Sequence, residues 1–128
     1  MTEHYGYAGK ILIVNLTDRT SQTIDTEPYI EWVGGHGMAS KLFWDYCEDK
    51  TVEAVDPGNV LVFAATPFSG AWCRPPRRAA SSRASAVLAA RMVQPLQHGR
   101  RLAGMMKEAG YDACVVRGKA EAPCGSAW

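Results

Sequence analysis

The chain has 128 residues, 47% of them hydrophobic and 21% charged, with a formal net charge of +1. Length and composition suit one small domain, or a piece of a larger one, that hides about two-thirds of its extended surface on folding. They exclude a chain that is basic throughout and binds nucleic acid by charge alone. No run reaches the roughly eighteen apolar residues of a transmembrane helix, and Met-Thr-Glu-His-Tyr at the start lacks the basic-then-apolar order of a signal peptide, so a cytoplasmic protein with no membrane association is expected.

In chain order, Tyr5 to Gly9 is a lead-in of Tyr and Gly. Lys10-Ile-Leu-Ile-Val-Asn-Leu16 is β-branched and apolar and predicts a strand. Thr17-Asp18-Arg19 has turn chemistry, and the alternating Thr20–Asp25 predicts a second strand, closing a hairpin. Thr26 is a candidate N-cap and Pro28 is tolerated in a first turn, so a helix is expected to open there. It runs through Tyr29–Val33 into Gly34-Gly35-His36-Gly37, a glycine-rich break, with a second helix beginning near Gly37 and carrying Met38, Leu42 and Phe43 at helical spacing. Two readings of the break stand side by side. Its glycines let backbone N–H groups approach an anion at a helix N-terminus, or they relieve crowding at a helix–helix corner, which is the plainer reading. His36 alone is a polar loop residue rather than a ligand.

Glu48 to Gly58 is an acidic connection. Asn59–Ala65 predicts a buried strand, ended by Thr66-Pro67-Phe68-Ser69-Gly70. Beyond residue 99, Leu102–Ala109 has helical composition, Gly110 is a natural residue to follow it, and Tyr111–Gly118 predicts a last strand. The four cysteines, Cys47, Cys73, Cys114 and Cys124, are widely spread and form no C-x-x-C pair. They read as buried free thiols, and neither a metal site nor a catalytic residue is assigned.

Four ordered blocks carry a resemblance. They are Gly9-Lys10-Ile-Leu-x-Val-Asn-Leu-Thr17; Val33-Gly-Gly-His-Gly-Met-Ala-Ser-Lys-Leu42; Val55-Asp-Pro-x-Asn59 with the Thr66–Gly70 turn; and Met106-Lys-Glu-Ala-Gly-Tyr-Asp-Ala-Cys-Val-Val-Arg-Gly-Lys-Ala120. Together they resemble the N-terminal domain of the tungsten-containing aldehyde:ferredoxin oxidoreductase family. The resemblance implies an α+β fold, a β-rich platform that seats a tungsten bis-pterin cofactor. The later domains of that family hold a [4Fe–4S] cluster and most of the substrate pocket. The implied activity is oxidation of aldehydes to carboxylic acids with ferredoxin as electron acceptor. A related branch is the catalytic subunit of an aromatic-thioester reductase. Residues 1–70 and 100–123 are family-like, and the domain is expected to be incomplete over 1–128.

Residues 71–99 depart from the family. They are rich in Arg, Ala, Ser and Pro and hold no acid. The family's two pterin-contacting turns, a Gly-Gly-Arg-like turn and Ser-Asn-x-Gly-Gly, belong here and are not written. Yet Met92-Val-Gln-Pro-Leu-Gln-His-Gly99, back-translated and read from the second base of each codon, forces Trp first. It then permits Phe-Asn-Arg-Ser-Asn-Met followed by Gly-Gly. The same shift over residues 74–80 permits Ala-Pro-Pro-Gly-Gly-Arg. The stretch therefore reads as a frame-shifted translation, expected to be poorly ordered, and Cys124–Trp128 as a second shift. Arg78 and Gly99 are the retained candidates for cofactor contact. As written, the chain is expected to bind neither tungsten-pterin nor cluster and to be inactive alone. The alternative takes Arg74, Arg77, Arg78, Arg83, Arg91, Arg100 and Arg101 as an anion- or nucleic-acid-binding module. With only Trp72 among them, stacking on single-stranded bases is not supported.

Overall fold

The computed structural model describes residues 4–53, 55–69, 84–90, 92–98, 102–123 and 125, with backbone alone over 84–98. Among the described residues, six strands form one sheet in the order β2-β1-β6-β3-β4-β5. They are β1 (Lys10–Asn15), β2 (Thr20–Asp25), β3 (Val60–Ala64), β4 (Ala84–Ala90), β5 (Met92–His98) and β6 (Ala113–Arg117). Two helices, α1 (Gly35–Tyr46) and α2 (Leu102–Glu108), and a 3₁₀ helix over Glu27–Trp32 complete an α+β fold. β1 and β2 form the expected antiparallel hairpin. Asn15 organises its turn, accepting from the Thr17 amide at 3.0 Å and donating to Asp18 at 2.6 Å. β6 enters between β1, to which it is parallel, and β3, to which it is antiparallel.

Alternation along the strands decides the packing. Ile11 and Ile13 share one face with Val60, Val62, Ala64, Ala113 and Val115, and α1 lays Met38, Ala39, Leu42 and Phe43 on that face. Leu12, Val14, Phe63, Cys114 and Val116 turn to the other face, where α2 contributes Ala103 and Met106. α2 ends in a Schellman arrangement: the Gly110 amide donates to the Lys107 carbonyl at 2.9 Å and the Tyr111 amide to Met106 at 3.0 Å. Gly110 takes φ +88°, the left-handed conformation the motif needs.

Three expectations are corrected. The helix expected from Thr26 is a 3₁₀ turn, and Thr26 makes no side-chain cap. Its hydroxyl is drawn instead to the buried Asp112, 2.8 Å away. The second helix begins at Gly35, so Gly35, His36 and Gly37 form its first turn and the break falls at Val33–Gly34. Finally, residues 84–90 and 92–98, expected to be poorly ordered, are strands. β3 has an edge left open by β6, and β4 pairs with it from Leu61↔Leu88 to Ala64↔Ser85. β5 then pairs with β4 as the outermost strand. Pro95, which has no N–H to donate, is tolerated at such an edge. The rest of 71–99 lies outside the described residues.

Candidate functional site

The register of the strands brings several segments to one end of the sheet. β3 finishes there at Ala64, next to Ser85. β4 begins there at Ala84, paired with His98, the last residue of β5. The chain thus enters the stretch beyond Ser69 and returns from it, just before Gly99, at this same end. α1 also starts here, its Gly35 amide donating to the Ala65 carbonyl at 3.0 Å.

The glycine corner is closed by protein. A Cβ on Gly34 would sit 2.9 Å from the Ala65 carbonyl oxygen and 3.0 Å from Pro67, and one on Gly37 would sit 2.4 Å from the Trp32 carbonyl oxygen. A Cβ on Gly35 would meet the Thr66 methyl at 2.9 Å. Gly34 and Gly35 therefore relieve crowding against the Ala65–Pro67 segment and Gly37 against Trp32, and the space they make is filled by the chain itself. His36 is exposed beside them. The turn is self-contained: the Ser69 amide donates to the Thr66 carbonyl at 3.0 Å, and the two hydroxyls lie 3.1 Å apart.

Beneath the corner, a buried polar knot fastens the lead-in to α2 and β6. Asp112 is wholly buried. Its carboxylate accepts from the Ala8 amide at 2.9 Å, the Gly9 amide at 2.8 Å and the Thr26 hydroxyl, and is ion-paired with Lys107. Lys107 also donates to the Gly6 carbonyl at 2.6 Å and stands over the Tyr7 ring. Burial, and then the Asp112 carboxylate, raise the Tyr7 pKa, so the phenol stays protonated and donates to the Val33 carbonyl at 2.5 Å. No signal in residue spacing announced this knot, although Lys107 and Asp112 both lie in a family-like block.

Arg78 and Gly99, the sequence-derived candidates for cofactor contact, lie outside the described residues, as do Cys73 and Cys124. Cys47 and Cys114 are free and buried, in line with the thiol reading. Burial pushes the Cys114 thiol up to about 11 and the Cys47 thiol in the same direction. Among the described residues no three His, Cys, Asp or Glu side chains gather to hold a metal. With the glycine corner filled by protein and no ligand cluster present, the described side chains do not by themselves fit a tungsten-pterin group or an iron–sulfur cluster. Nor is any described helix long and apolar enough to cross a membrane.

Comparison with known proteins gives this geometry a lineage. Residues 11–126 match the family model of the aldehyde ferredoxin oxidoreductase N-terminal domain. The tungsten-containing aldehyde ferredoxin oxidoreductase of Pyrococcus furiosus is 33% identical over 121 residues, covering 93% of this chain and 20% of that protein. The Pyrococcus abyssi enzyme of the same name is 31% identical, with 93% of this chain and 19% of that protein covered. Among solved structures, the active site complex BamBC of benzoyl coenzyme A reductase, in complex with 1,5-dienoyl-CoA, superposes with a TM-score of 0.75 at 30% identity. That match covers 93% of this chain and 18% of that one. The chain spans about one fifth of the length of the curated relatives it matches.

Proposed function

The chain belongs to the aldehyde ferredoxin oxidoreductase N-terminal domain family, and from that membership we propose that it is the cofactor platform of a tungsten-pterin, iron–sulfur oxidoreductase. The complete enzyme would oxidise an aldehyde to a carboxylic acid and pass the electrons to ferredoxin. The observation that carries this reading is the convergence at one end of the sheet of the Thr66–Ser69 turn, the start of β4 and the end of β5. A sheet end at which several chain segments meet is what a platform needs, since the protein's share of cofactor chemistry is binding and orientation. The likeness to BamBC favours a second reading for the lineage, the reduction of an aromatic thioester.

As written, this chain is inactive alone. The two turns that would grip the pterin are replaced over 71–99 by a reading in another frame, and the arginines there follow from the shift rather than from a nucleic-acid partner. Gly99 and Arg78 keep the residue types of cofactor contacts without their neighbours. Sequencing the gene across this stretch tests the frame, and metal analysis tests the binding. The chain as written should purify without tungsten or pterin. A version recoded to the shifted frame over 71–99, expressed in a tungsten-loading host, should retain pterin. Stoichiometric tungsten and pterin on the unaltered chain would refute the claim that its turns are lost. An intact gene encoding 71–99 as written would refute the frame shift.

A further inference from the structure

At the opposite end of the sheet from the glycine corner, a cavity of about 450 Å³ opens beyond α1 and the β1–β2 turn. That volume lies within the range of small-molecule sites. Arg117, the last residue of β6, lines it together with Asn15, Asp18, Tyr46, Glu48 and Asp49. The Arg117 Nε is buried with no hydrogen-bond partner among the described residues, and no described carboxylate ion-pairs with the guanidinium. Guanidinium groups so placed are usually satisfied by a carboxylate or phosphate, because leaving a sequestered donor unpaired is costly.

The carboxylates around the cavity do not supply that partner. Asp18 is engaged by the Asn15 amide at 2.6 Å, and Asp49 accepts from the Thr51 amide and hydroxyl at 2.8 and 2.6 Å. Those bonds hold Asp49 below its ordinary pKa, so the rim stays negative. Glu48 is exposed and makes no ion pair among the described residues. One cavity therefore presents the Arg117 guanidinium and, at its rim, the carboxylates of Asp18, Glu48 and Asp49, none of them ion-paired with it among the described residues. A lone anion such as phosphate would meet the negative rim, and a lone cation would leave the Arg117 guanidinium without a partner.

We propose that this cavity binds a small zwitterion, a molecule with a carboxylate and an ammonium a few bonds apart. The carboxylate sits on the Arg117 guanidinium and the ammonium against Glu48 and Asp49. The site is independent of the cofactor end of the sheet and of the reading given to residues 71–99.

Isothermal titration calorimetry of the chain at low salt tests it with glycine, β-alanine and 4-aminobutanoate against acetate and ethylamine. At least one zwitterion should bind about tenfold more tightly than either half-molecule. Arg117→Gln and Glu48→Gln should each weaken it by about tenfold, and Arg117→Lys should recover part of the loss, keeping the charge without the planar fork. If Arg117→Gln does not fold, exposed Glu48→Gln still carries the test. Acetate binding as tightly as the zwitterions, unchanged affinity in Glu48→Gln, or no binding by any zwitterion would overturn the proposal.

Discussion

Replacing Asp112 should destabilise the chain more than any other single polar change in the described structure. The carboxylate is wholly buried and faces two backbone amides, one hydroxyl and the Lys107 ammonium. Asp112→Ala strands that ammonium, whose side chain is only 10% exposed, with the Gly6 carbonyl as its remaining hydrogen-bond partner. Removing one member of a buried ion pair costs about 3–5 kcal/mol. The orphaned Ala8 and Gly9 amides, being partly buried, add about 1 kcal/mol more. Set against a total stability of about 5–15 kcal/mol for a domain, the variant should be largely unfolded or close to it. Lys107→Met is milder, about 1–3 kcal/mol, because the carboxylate keeps three neutral donors. The double variant should fall short of the sum by about 2 kcal/mol, since each change removes the same pairing. Urea unfolding followed by circular dichroism measures all three. A loss below about 1 kcal/mol in Asp112→Ala, or strict additivity with Lys107→Met, would refute the account of the knot.

Gly37→Ala reverses the usual sign of a helix substitution. Alanine ordinarily gains about 1 kcal/mol over glycine inside a helix, but here its Cβ would lie 2.4 Å from the Trp32 carbonyl oxygen. A net loss of about 2 kcal/mol in urea unfolding is expected, and a gain would mean that the corner is not packed. Cys114, with its pKa raised from 9.0 to about 11 by burial, binds its proton more tightly folded than unfolded. Its contribution is therefore complete below pH 9 and lost as pH climbs toward 11; Cys114→Ala should flatten that part of a stability–pH curve, and an unchanged slope would contradict the burial argument. For the same reason iodoacetamide at pH 8 should label Cys47 and Cys114 far more slowly in the native chain than in urea, read peptide by peptide by mass spectrometry. Equal rates would show both thiols to be open.

Much of this fold could be read because it rests on local pattern. Ile11 and Ile13 alternate with Leu12 and Val14, and Gly110 follows a helix whose last turn it completes, so β1 and the end of α2 were legible from neighbours in sequence. The polar knot was not. Thr26 has the composition of a helix cap, and only the approach of Asp112, 86 residues away, turns its hydroxyl elsewhere. Residue types could not decide the glycine corner either, because a ligand cradle and a crowded corner ask for the same glycines. The atoms across the gap, Ala65, Thr66 and Trp32, decide it.

Strands β4 and β5 show a different limit. Their sequence lacks the β-branched alternation of β1, and the pairing is set by β3, which offers an open edge to whatever follows. Backbone ladders ask little of side-chain identity, so a stretch rich in Ala, Ser and Arg can still occupy the sheet's edge. Contact with a cofactor would ask far more, because it needs particular groups at particular points. Among the described residues, the apolar layers on both faces of β1, β3 and β6 come from segments on either side of 71–99. A change of frame confined to that stretch, as proposed above, would therefore spare the scaffold's centre. That separation would make family membership compatible with the inactivity proposed above.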